Sequence, residues 1–512
     1  MKLIRASLLA LIVLLYACNK INQPEPDQKQ VPVLTKKANC VDLPIEPLLS
    51  KEELDDLVLN TLHTRSDFRW QWVDIKTLCS AAKQNEQIMA IGYKPSGYGD
   101  ISAELHLLNL KSDIWKRTHD ALIELIVNGI NKNTATPISW NDIVIEDDPK
   151  LPILIVRLTD ASVITELYNL ENVRYIEPMG YWPESVDRSS SGCSASSTTL
   201  NTADWTSISP GCRLPWNFNL ANIPSAWNVA QGSGITVGVI DAGISSSQTL
   251  LGSGFNNGAS AVNRTITTDF TYGNSAFTSC THGTSMSGLA VGPRNSLNAT
   301  TGVAYQSNLH FIRACADVVL NESAEQSGLK NALVKMGDLS TVRIVSMSIG
   351  TPFYNSVIYD GVVYAHNRGK LLVAAAGTST SLLSWWGVVY PAVHSQCIAV
   401  TGVKENSATC SSCHDGSEVD FTVVMERSSN ANRNSLSLPF SGTNPTYIGG
   451  SSSATAIFAG VAALVWSAKP TLTREQVFTA IRNTAQYYPA LNSGKGYGNI
   501  NAGAAVNLAI TF

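Results

Sequence analysis

Three residues that lie far apart in the sequence, Asp241, His282 and Ser452, carry the side chains that a nucleophilic triad requires. Each stands among small residues, in the segments Ile-Asp-Ala-Gly, Thr-His-Gly-Thr and Gly-Ser-Ser-Ser-Ala. A serine hydroxyl becomes a useful nucleophile only when a neighbouring imidazole accepts its proton, and a buried carboxylate holds that imidazole in the required tautomer. The residue types therefore indicate acyl-transfer chemistry at a serine.

The surrounding sequence predicts the elements that would position these side chains. Residues 235–240 are mostly apolar and rich in β-branched side chains, which predicts a buried parallel strand with Asp241 at its carboxyl end. Sites in open α/β sheets gather at that edge. His282 precedes a run of small residues that suits a closely packed helix, and Ser452 stands ahead of the helical segment 454–468. The N–H groups at a helix start suit a developing oxyanion.

These segments and six others, in the same order, resemble the subtilisin-type (subtilase) serine peptidases. The others are Ala226-Trp227, Gly302-Val303-Ala304, residues 345–350, residues 373–377, Tyr390-Pro391-Ala392 with Ile398-Ala399-Val400, and Leu472 to Val477, where Thr473 and Gln476 form a capping-box pattern. One such motif alone would be weak evidence, but an ordered series is hard to obtain by chance. The resemblance runs from Ile223 to Phe512 and implies an α/β fold, the subtilisin-like three-layer α/β/α architecture with a mostly parallel central sheet.

The resemblance also implies a role for each site residue. Ser452 would attack the peptide carbonyl, His282 would act as general base and then acid, and Asp241 would orient the imidazole. Three serines are consecutive at 451–453, and counting back from Ala459-Gly460 makes Ser452 the nucleophile. The chain would then be a serine endopeptidase that acts on protein or peptide substrates.

The primary substrate pocket is implied in the same way. Its flanking residues would be Ser348, Ile349, Gly350, Ala376 and Gly377. Most of them are small, which would leave the pocket open. Trp385 and Trp386 follow in the loop after Thr378, where they either contact substrate or simply pack.

Three positions depart from the family pattern. Thr378 stands where the family has an asparagine whose amide donates to the oxyanion, and loss of that donor in a subtilisin lowers kcat by roughly 10²–10³. We predict that the Thr378 hydroxyl and the Ser452 N–H are the oxyanion donors. Ser285 and Ala456 replace a histidine and a proline that carry no protons in the mechanism. The departures leave open an alternative class, a catalytically weak or inactive subtilase-fold binding protein, against which the retained triad argues.

The N-terminus has the pattern of an export signal. Lys2 and Arg5 precede a mostly apolar run, 6–17, so residues 1–17 are predicted to be a signal peptide. The run ends at Leu15-Tyr16-Ala17-Cys18, which resembles a bacterial lipoprotein signal in which Cys18 is lipidated and becomes the first mature residue. A plain signal peptide followed by an unrelated cysteine is the alternative. We predict an exported protein of the bacterial cell envelope that is anchored to the membrane through the lipid on Cys18.

The region before the catalytic domain divides into two predicted segments. Residues 18–85 begin with a polar, proline-containing tether and continue into a partly helical stretch to which the sequence assigns no role. Residues 86–183 end in a strand-like cluster at 153–158 and a tail, 165–178, that resembles the inhibitory propeptide of subtilases. They would form a small α+β domain that inhibits the enzyme intramolecularly. The alternative is a structural domain that stays attached.

A propeptide implies a precursor that processes itself. Residues 184–222 form the predicted linker, and its Ser/Gly/Thr-rich part is the expected region of the maturation site. The catalytic domain would then span residues 223–512.

Composition limits the partner classes. The chain has 512 residues, 44% of them hydrophobic, and a net charge of −4, which leaves ample material for a large core. It has no basic run and no basic patch interleaved with aromatic residues, so nucleic acid is not an expected partner.

No cofactor is predicted. Calcium often stabilises this family, but no carboxylate cluster in the sequence supports a calcium site. Cys410-x-x-Cys413-His414 fits the pattern of covalent haem attachment, but a local disulfide or a surface loop is the better interpretation of so loose a pattern. Export permits disulfides, and the candidate pairs are Cys193 with Cys212 and Cys280 with Cys315, although spacing does not determine connectivity.

Overall fold

The computed structural model describes residues 33–44, 46–186, 192–194, 196, 198–378 and 387–512. The predicted signal, Cys18, most of the tether and the pair Trp385-Trp386 lie outside these residues. The described chain forms an N-terminal domain, residues 33–186, that packs against a larger C-terminal domain, residues 198–512.

The N-terminal domain is a four-stranded antiparallel sheet covered by helices, with strand order β2-β3-β1-β4. Its strands are β1 (Ile88–Tyr93), β2 (Val144–Asp147), β3 (Ile153–Arg157) and β4 (Val173–Pro178). Its α-helices are α1 (Lys51–Arg65), α2 (Ile75–Gln84), α3 (Asp113–Asn131), α4 (Trp140–Ile143) and α5 (Ala161–Tyr168). The domain is α+β, as expected for this region.

Helices α1 and α2 belong to this domain, although no role was predicted for the partly helical part of residues 18–85. Ser50 and Glu53 form a capping box at the start of α1, and Asp74 caps α2. Leu54 of α1 and Leu78 of α2 are buried in the same core as β1 and β3. The domain therefore begins well before residue 86.

The C-terminal domain is built on a nine-stranded sheet of order β15-β14-β13-β12-β11-β10-β7-β9-β8. The sheet strands are β7 (Thr236–Asp241), β8 (Ile266–Phe270), β9 (Asn308–Arg313), β10 (Val342–Met347), β11 (Leu371–Ala375), β12 (Cys397–Lys404), β13 (Phe421–Arg427), β14 (Asn430–Ser437) and β15 (Thr446–Ile448). All pairs from β8 to β13 are parallel, and β14 and β15 are antiparallel at one edge. The mostly parallel sheet confirms the predicted fold class.

Helices cover both faces of this sheet. They are α6 (Trp216–Leu220), α7 (Ile223–Ala226), α8 (His282–Val291), α9 (Ser323–Asp338), α10 (Ser356–Asn367), α11 (Gly450–Ala468), α12 (Arg474–Asn483) and α13 (Ala502–Ala509). Helices α8, α11, α12 and α13 share one core with one face of the sheet, whereas α9 and α10 share a second core with the opposite face. This is the expected three-layer arrangement. Among the described residues, α11 alone is long and apolar enough to cross a membrane, and most of it is buried as a core helix.

The predicted linker, 184–222, is partly folded. A hairpin of β5 (Trp205–Ile208) and β6 (Cys212–Pro215) leads into α6, and Asp204 is buried against Arg427 and Arg433. The predicted linker from Trp205 onward therefore belongs to the C-terminal domain.

The two domains meet at β4 and the helices α9 and α10, a contact that we call the interdomain interface. Arg174 of β4 donates two hydrogen bonds to Asp360 of α10, at 2.7 and 2.8 Å, and Tyr175 donates a third at 3.0 Å. Glu177 accepts hydrogen bonds from the N–H and hydroxyl of Ser356, at 2.7 and 2.8 Å. The interface thus contains buried charges that are satisfied only when the domains are together.

Further contacts extend this interface. The fully buried Lys330 of α9 donates to Glu146 and Asp148 of the N-terminal domain. Val357 of α10 and Phe353 just before it belong to the apolar core of the N-terminal domain. Because one core crosses the boundary, the domains are packed together like parts of one folded unit.

The disulfides differ from both candidate pairs. Cys193 is bonded to Cys280, and Cys410 to Cys413. Cys212 and Cys315 are free and buried, as are Cys79 and Cys397, and Cys40 is free and exposed. The pairs Cys193–Cys212 and Cys280–Cys315 were wrong because Cys193 lies beside the start of α8, where its carbonyl accepts from the Thr281 N–H, and not beside the β5–β6 hairpin.

Candidate active site

Asp241 and His282 meet at the carboxyl edge of the parallel sheet. Asp241 ends β7 and is fully buried, and His282 is the first residue of α8. The imidazole Nδ1 lies 2.8 Å from Asp241 Oδ1 and 3.0 Å from Oδ2. The buried carboxylate therefore fixes the ring and leaves Nε2 for another partner.

Gly283 explains why α8 can begin so close to β7. A Cβ at this position would lie 2.2 Å from the carbonyl oxygen of Gly243 and 2.8 Å from the ring of Phe311. A side chain here would push the helix away from the sheet. Glycine after His282 is therefore a requirement of the close approach.

Ser452 lies in the first turn of α11, not ahead of the helix as the sequence suggested. It lines the same cavity as His282, a cleft of about 270 Å³. Its hydroxyl donates to the carbonyl of Ser348 at 3.5 Å, and the Ser348 hydroxyl donates to the Ser452 carbonyl at 3.1 Å. These bonds do not join Ser452 to His282, and the catalytic hydrogen bond between a nucleophile and its base often forms only once substrate binds. The third residue of a helix has no carbonyl one turn earlier within that helix, so the Ser452 N–H is available to an oxyanion.

The structure distinguishes the three consecutive serines. The Ser451 hydroxyl is buried and accepts a hydrogen bond from the Gly377 N–H at 3.1 Å. The Ser453 hydroxyl is buried and donates to the Gly450 carbonyl at 3.0 Å. Ser452 is the partly exposed member. The geometry thus supports Ser452 as the nucleophile.

Thr378 lies beside the start of α11, and its hydroxyl forms hydrogen bonds with a residue of the first helical turn. Its Oγ1 accepts from the Ser451 N–H at 3.2 Å and lies 3.2 Å from Ser451 Oγ. Gly450 has a φ of +75°, and a Cβ there would lie 2.6 Å from Thr378 Oγ1. The predicted oxyanion residue therefore lines the cleft, but its oxygen is engaged with the helix.

The other predicted pocket residues are brought together at the cleft. Its lining includes Ser348, Ile349, Gly350 and Gly377, whereas Ala376 is fully buried and is not among the residues that line it. Gly350 packs against the carbonyl of Tyr390, where a Cβ would come within 2.4 Å. Ser285 and Ala456, the other departures from the family pattern, are buried in α8 and α11.

Sequence analysis missed His414 as a pocket residue. His414 lines the same cleft, and its ring packs on Gly377 so closely that a Cβ there would lie 2.4 Å from Nδ1. The signal that could have found it is the motif Cys410-x-x-Cys413-His414, which also fits the haem-attachment pattern. The two sulfurs are joined to each other, which confirms the local disulfide and occupies the thiols that haem attachment would use.

The chain reaches the cleft from the N-terminal domain. Trp182 packs on Phe353 with ring centroids 5.5 Å apart, and Val186 follows it. On the far side of residues 187–191, Gly192 lines the cleft and the Cys193 carbonyl accepts from the Thr281 N–H at 3.2 Å. The Cys193–Cys280 disulfide thus holds the chain two residues from His282.

Within the described ranges, no group of three or more His, Cys, Asp or Glu side chains is arranged to hold a metal ion. The structure thus adds no support for the calcium site that the sequence left unsupported.

The fold and the site together define a class. A buried carboxylate, an imidazole and a serine meet at the carboxyl edge of a parallel sheet covered on both faces, which is the arrangement of a serine hydrolase of α/β type. Comparison with known proteins narrows this class.

A family model described as the subtilase family matches residues 232–498, slightly more than half of the chain. The thermostable alkaline protease of Halalkalibacterium halodurans is 31% identical over 296 residues, which is 57% of this chain and 73% of that protein. Thermitase of Thermoactinomyces vulgaris is 28% identical over 290 residues, 55% of this chain and 92% of thermitase. The crystal structure of MycP1 from Mycobacterium smegmatis is 20% identical with a TM-score of 0.46, covering 59% of this chain and 87% of that chain.

The chain belongs to the subtilase family and is a subtilisin-like serine peptidase.

Proposed function

We propose that this peptidase cleaves peptide bonds through an acyl-enzyme at Ser452. The observation that carries the proposal is the pairing of His282 Nδ1 with Asp241 at 2.8 Å in the cavity that Ser452 also lines. Nε2 of His282 takes the hydroxyl proton as Ser452 Oγ bonds to the substrate carbonyl carbon. His282 then gives that proton to the leaving amine, and water hydrolyses the ester by the same route in reverse.

Charge on the substrate oxygen is stabilised at the start of α11. The Ser452 N–H is one donor, because no carbonyl within the helix accepts from it. The Thr378 hydroxyl is the second donor, and its proton is free for this task when Ser451 supplies the proton of the bond between the two hydroxyls. The expected enzyme is therefore active but weaker than one with an asparagine at this position.

The test compares the parent chain with Ser452→Ala, using Ser453→Ala as a matched control in the same helix. Parent and Ser453→Ala are expected to react with a fluorophosphonate and to cleave an unfolded protein substrate, and Ser452→Ala is expected to do neither. A folded parent that does not react would contradict the proposal and favour the alternative of an inactive binding protein.

We further propose that the protein is made as an autoinhibited precursor that cleaves its own linker within residues 184–222. Two observations support this proposal: Trp182, which follows β4, packs on Phe353, and Gly192 lines the cleft. The N-terminal domain, residues 33–186, shares its core with α10, and we expect it to inhibit the enzyme until the linker is cleaved and the domain is released.

The Cys193–Cys280 disulfide allows cleavage to be located on gels. Cleavage before Cys193 gives an N-terminal fragment that separates with or without reductant, whereas cleavage after Cys193 gives one that separates only when reduced. Either pattern in the parent, and neither in Ser452→Ala, is the expected result. An intact parent with a reactive Ser452 would contradict self-processing while leaving peptidase activity intact.

We also propose export and lipid anchoring at Cys18. Two disulfides fit an oxidising compartment, and the predicted signal at residues 1–17 would direct the chain there. Cys18→Ala is expected to move the protein from the detergent phase to the aqueous phase in a phase-separation assay. A parent chain that partitions into the aqueous phase would contradict the lipid anchor.

A further inference from the structure

His414 is a buried titratable side chain in the cleft that the proposed mechanism does not use. It is 4% exposed, and neither ring nitrogen makes a hydrogen bond with the described residues. Its ring lies on Gly377, one of the residues that flank the primary pocket. Among the described residues that line the cleft, His282 and His414 are the only titratable ones. An imidazole with no partner in a cavity that substrate fills is a candidate to bind substrate.

The backbone around His414 holds it in place. Its N–H donates to the Gly377 carbonyl at 3.0 Å, and its carbonyl accepts from the Thr401 hydroxyl at 2.5 Å. Cys413, just before it, pairs with Thr378 as an antiparallel bridge and is fixed by the disulfide to Cys410. The ring is therefore attached to the same backbone that carries Gly377 and Thr378. Such a supported side chain can discriminate between substrates because little of its freedom remains to be lost on binding.

We propose that His414 selects substrates with an acidic side chain, Asp or Glu, at the residue whose carbonyl Ser452 attacks. This inference rests on the proposed peptidase function. An apolar side chain in this pocket would leave a buried imidazole unpaired, which is unfavourable. A carboxylate would pair with it through a charge-assisted hydrogen bond, one of the stronger kinds. The described lining contains no acidic side chain that would compete for the ring or repel the substrate.

The charges near His414 determine how its proton affinity responds to substrate. Burial lowers the pKa of His414, while the Gly387 backbone, which approaches the ring without reaching hydrogen-bond geometry, and Asp415 oppose that shift. Asp415 accepts from Thr409 at 2.9 Å, and the nearby Glu426 accepts from Ser411. His282 lines the same cleft. In the free enzyme the ring is therefore held toward its neutral form, and an entering carboxylate favours the protonated form.

The test uses the processed product of the full chain and three peptides that differ only at the residue before the scissile bond, with Glu, Gln or Ala there. The parent is expected to prefer Glu over Ala in kcat/KM. In His414→Ala the Glu-to-Ala ratio is expected to fall by about 10- to 100-fold, as expected for loss of one charge-assisted hydrogen bond. His414→Gln, which donates a hydrogen bond but carries no charge, is expected to lower the Glu-to-Gln ratio.

A pH profile of the parent provides a readout that needs no variant. Above about pH 6, where the Glu of the peptide is ionised, the Glu-to-Gln ratio is expected to fall as pH rises, because His414 loses the proton that pairs with the carboxylate. Titration of His282 affects both peptides and cancels in this ratio. A merely structural His414 would leave the ratio unchanged over this pH range.

The outcomes separate this inference from the proposed function. A parent that reacts with the fluorophosphonate and cleaves the Ala peptide as well as the Glu peptide at every pH overturns the role of His414 alone. A folded parent that neither reacts nor cleaves any peptide overturns the peptidase proposal and this inference together.

Discussion

The cleft and the interdomain interface each contain a buried carboxylate held by a nitrogen from another element, but the two sites do different work. Asp241 and Asp360 are 0% and 1% exposed. Asp241 binds one nitrogen of an imidazole whose other nitrogen remains available in a cavity, whereas Asp360 binds two nitrogens of Arg174 and the hydroxyl of Tyr175. The attraction between a carboxylate and a nitrogen therefore supports catalysis at Asp241, where His282 keeps one nitrogen available. At Asp360, where the carboxylate pairs with Arg174 and Tyr175, it holds the two domains together.

The largest expected effect concerns Asp241 in the cleft. Asp241→Asn should lower kcat about 10⁴-fold, because the amide favours the wrong imidazole tautomer. Fluorophosphonate reaction at Ser452 should slow to match, and both rates can be measured on one preparation. Arg174→Ala serves as the control, since it removes a carboxylate partner far from the chemistry. A loss of less than tenfold would mean that Asp241 does not orient His282.

The second prediction concerns the pair Arg174–Asp360 at the interdomain interface. In a Ser452→Ala background, Arg174→Ala should lower the free energy of unfolding by about 3–5 kcal/mol, because it leaves Asp360 buried without its cation. Lys150→Ala provides a matched control across the same interface, since Lys150 binds Asp338 at 3.1 Å with side chains 55% and 34% exposed. Its cost should not exceed about 1 kcal/mol. Denaturant unfolding measures both, and equal costs would contradict the view that burial distinguishes the two pairs.

The third prediction is a pH dependence of the interface. Burial raises the pKa of Glu177 to about 7, although Ser356 and Gln71 donate hydrogen bonds that oppose the shift. Because the docked carboxyl binds its proton more tightly than the free one, its stabilising effect is complete at acid pH. That effect is lost as pH rises to about 7, by up to about 3 kcal/mol.

Glu177→Gln isolates this contribution, since it keeps a neutral group of the same shape. Unfolding of the Ser452→Ala chain should show stability that declines between acid and neutral pH, and the added Glu177→Gln change should flatten that decline. Equal slopes in the two chains would show that Glu177 keeps the same proton affinity in both states.

Most of the candidate active site could be predicted from the sequence, because each element that positions it is determined by residues close together in the chain. The strand before Asp241 follows from a run of buried β-branched residues, and the predicted capping box is present, with Thr473 and Gln476 bonded reciprocally at 2.8 and 3.2 Å. Such features depend on a few neighbouring residues, so spacing suffices to predict them.

The features that could not be predicted depend on contacts between residues that are far apart in the sequence. Cys193 pairs with Cys280 because its carbonyl lies against the Thr281 N–H, and the spacing of cysteines in the sequence does not indicate this long-range contact. His414 enters the cleft because its loop folds back onto Gly377, so its motif gave a correct local disulfide but not a pocket. The stretch that contains α1 and α2 was predicted to be helical in part, but the membership of these helices in the N-terminal domain depends on long-range packing.

The smallest expected effect concerns Thr378, whose place was predicted but whose partners were not. Its oxygen accepts from the Ser451 N–H at 3.2 Å, so the residue stabilises the start of α11 as well as facing the cleft. Thr378→Asn supplies an amide with longer reach and should raise kcat by about 10- to 100-fold. Thr378→Val keeps the shape without the hydroxyl and should lower it. If Val lowers kcat and Asn does not raise it, the threonine already donates fully to the oxyanion. If neither substitution changes kcat, the Ser452 N–H stabilises the oxyanion without Thr378. Thr378 would then be, like Arg174, a residue whose hydrogen bonds stabilise the fold but do not contribute to catalysis.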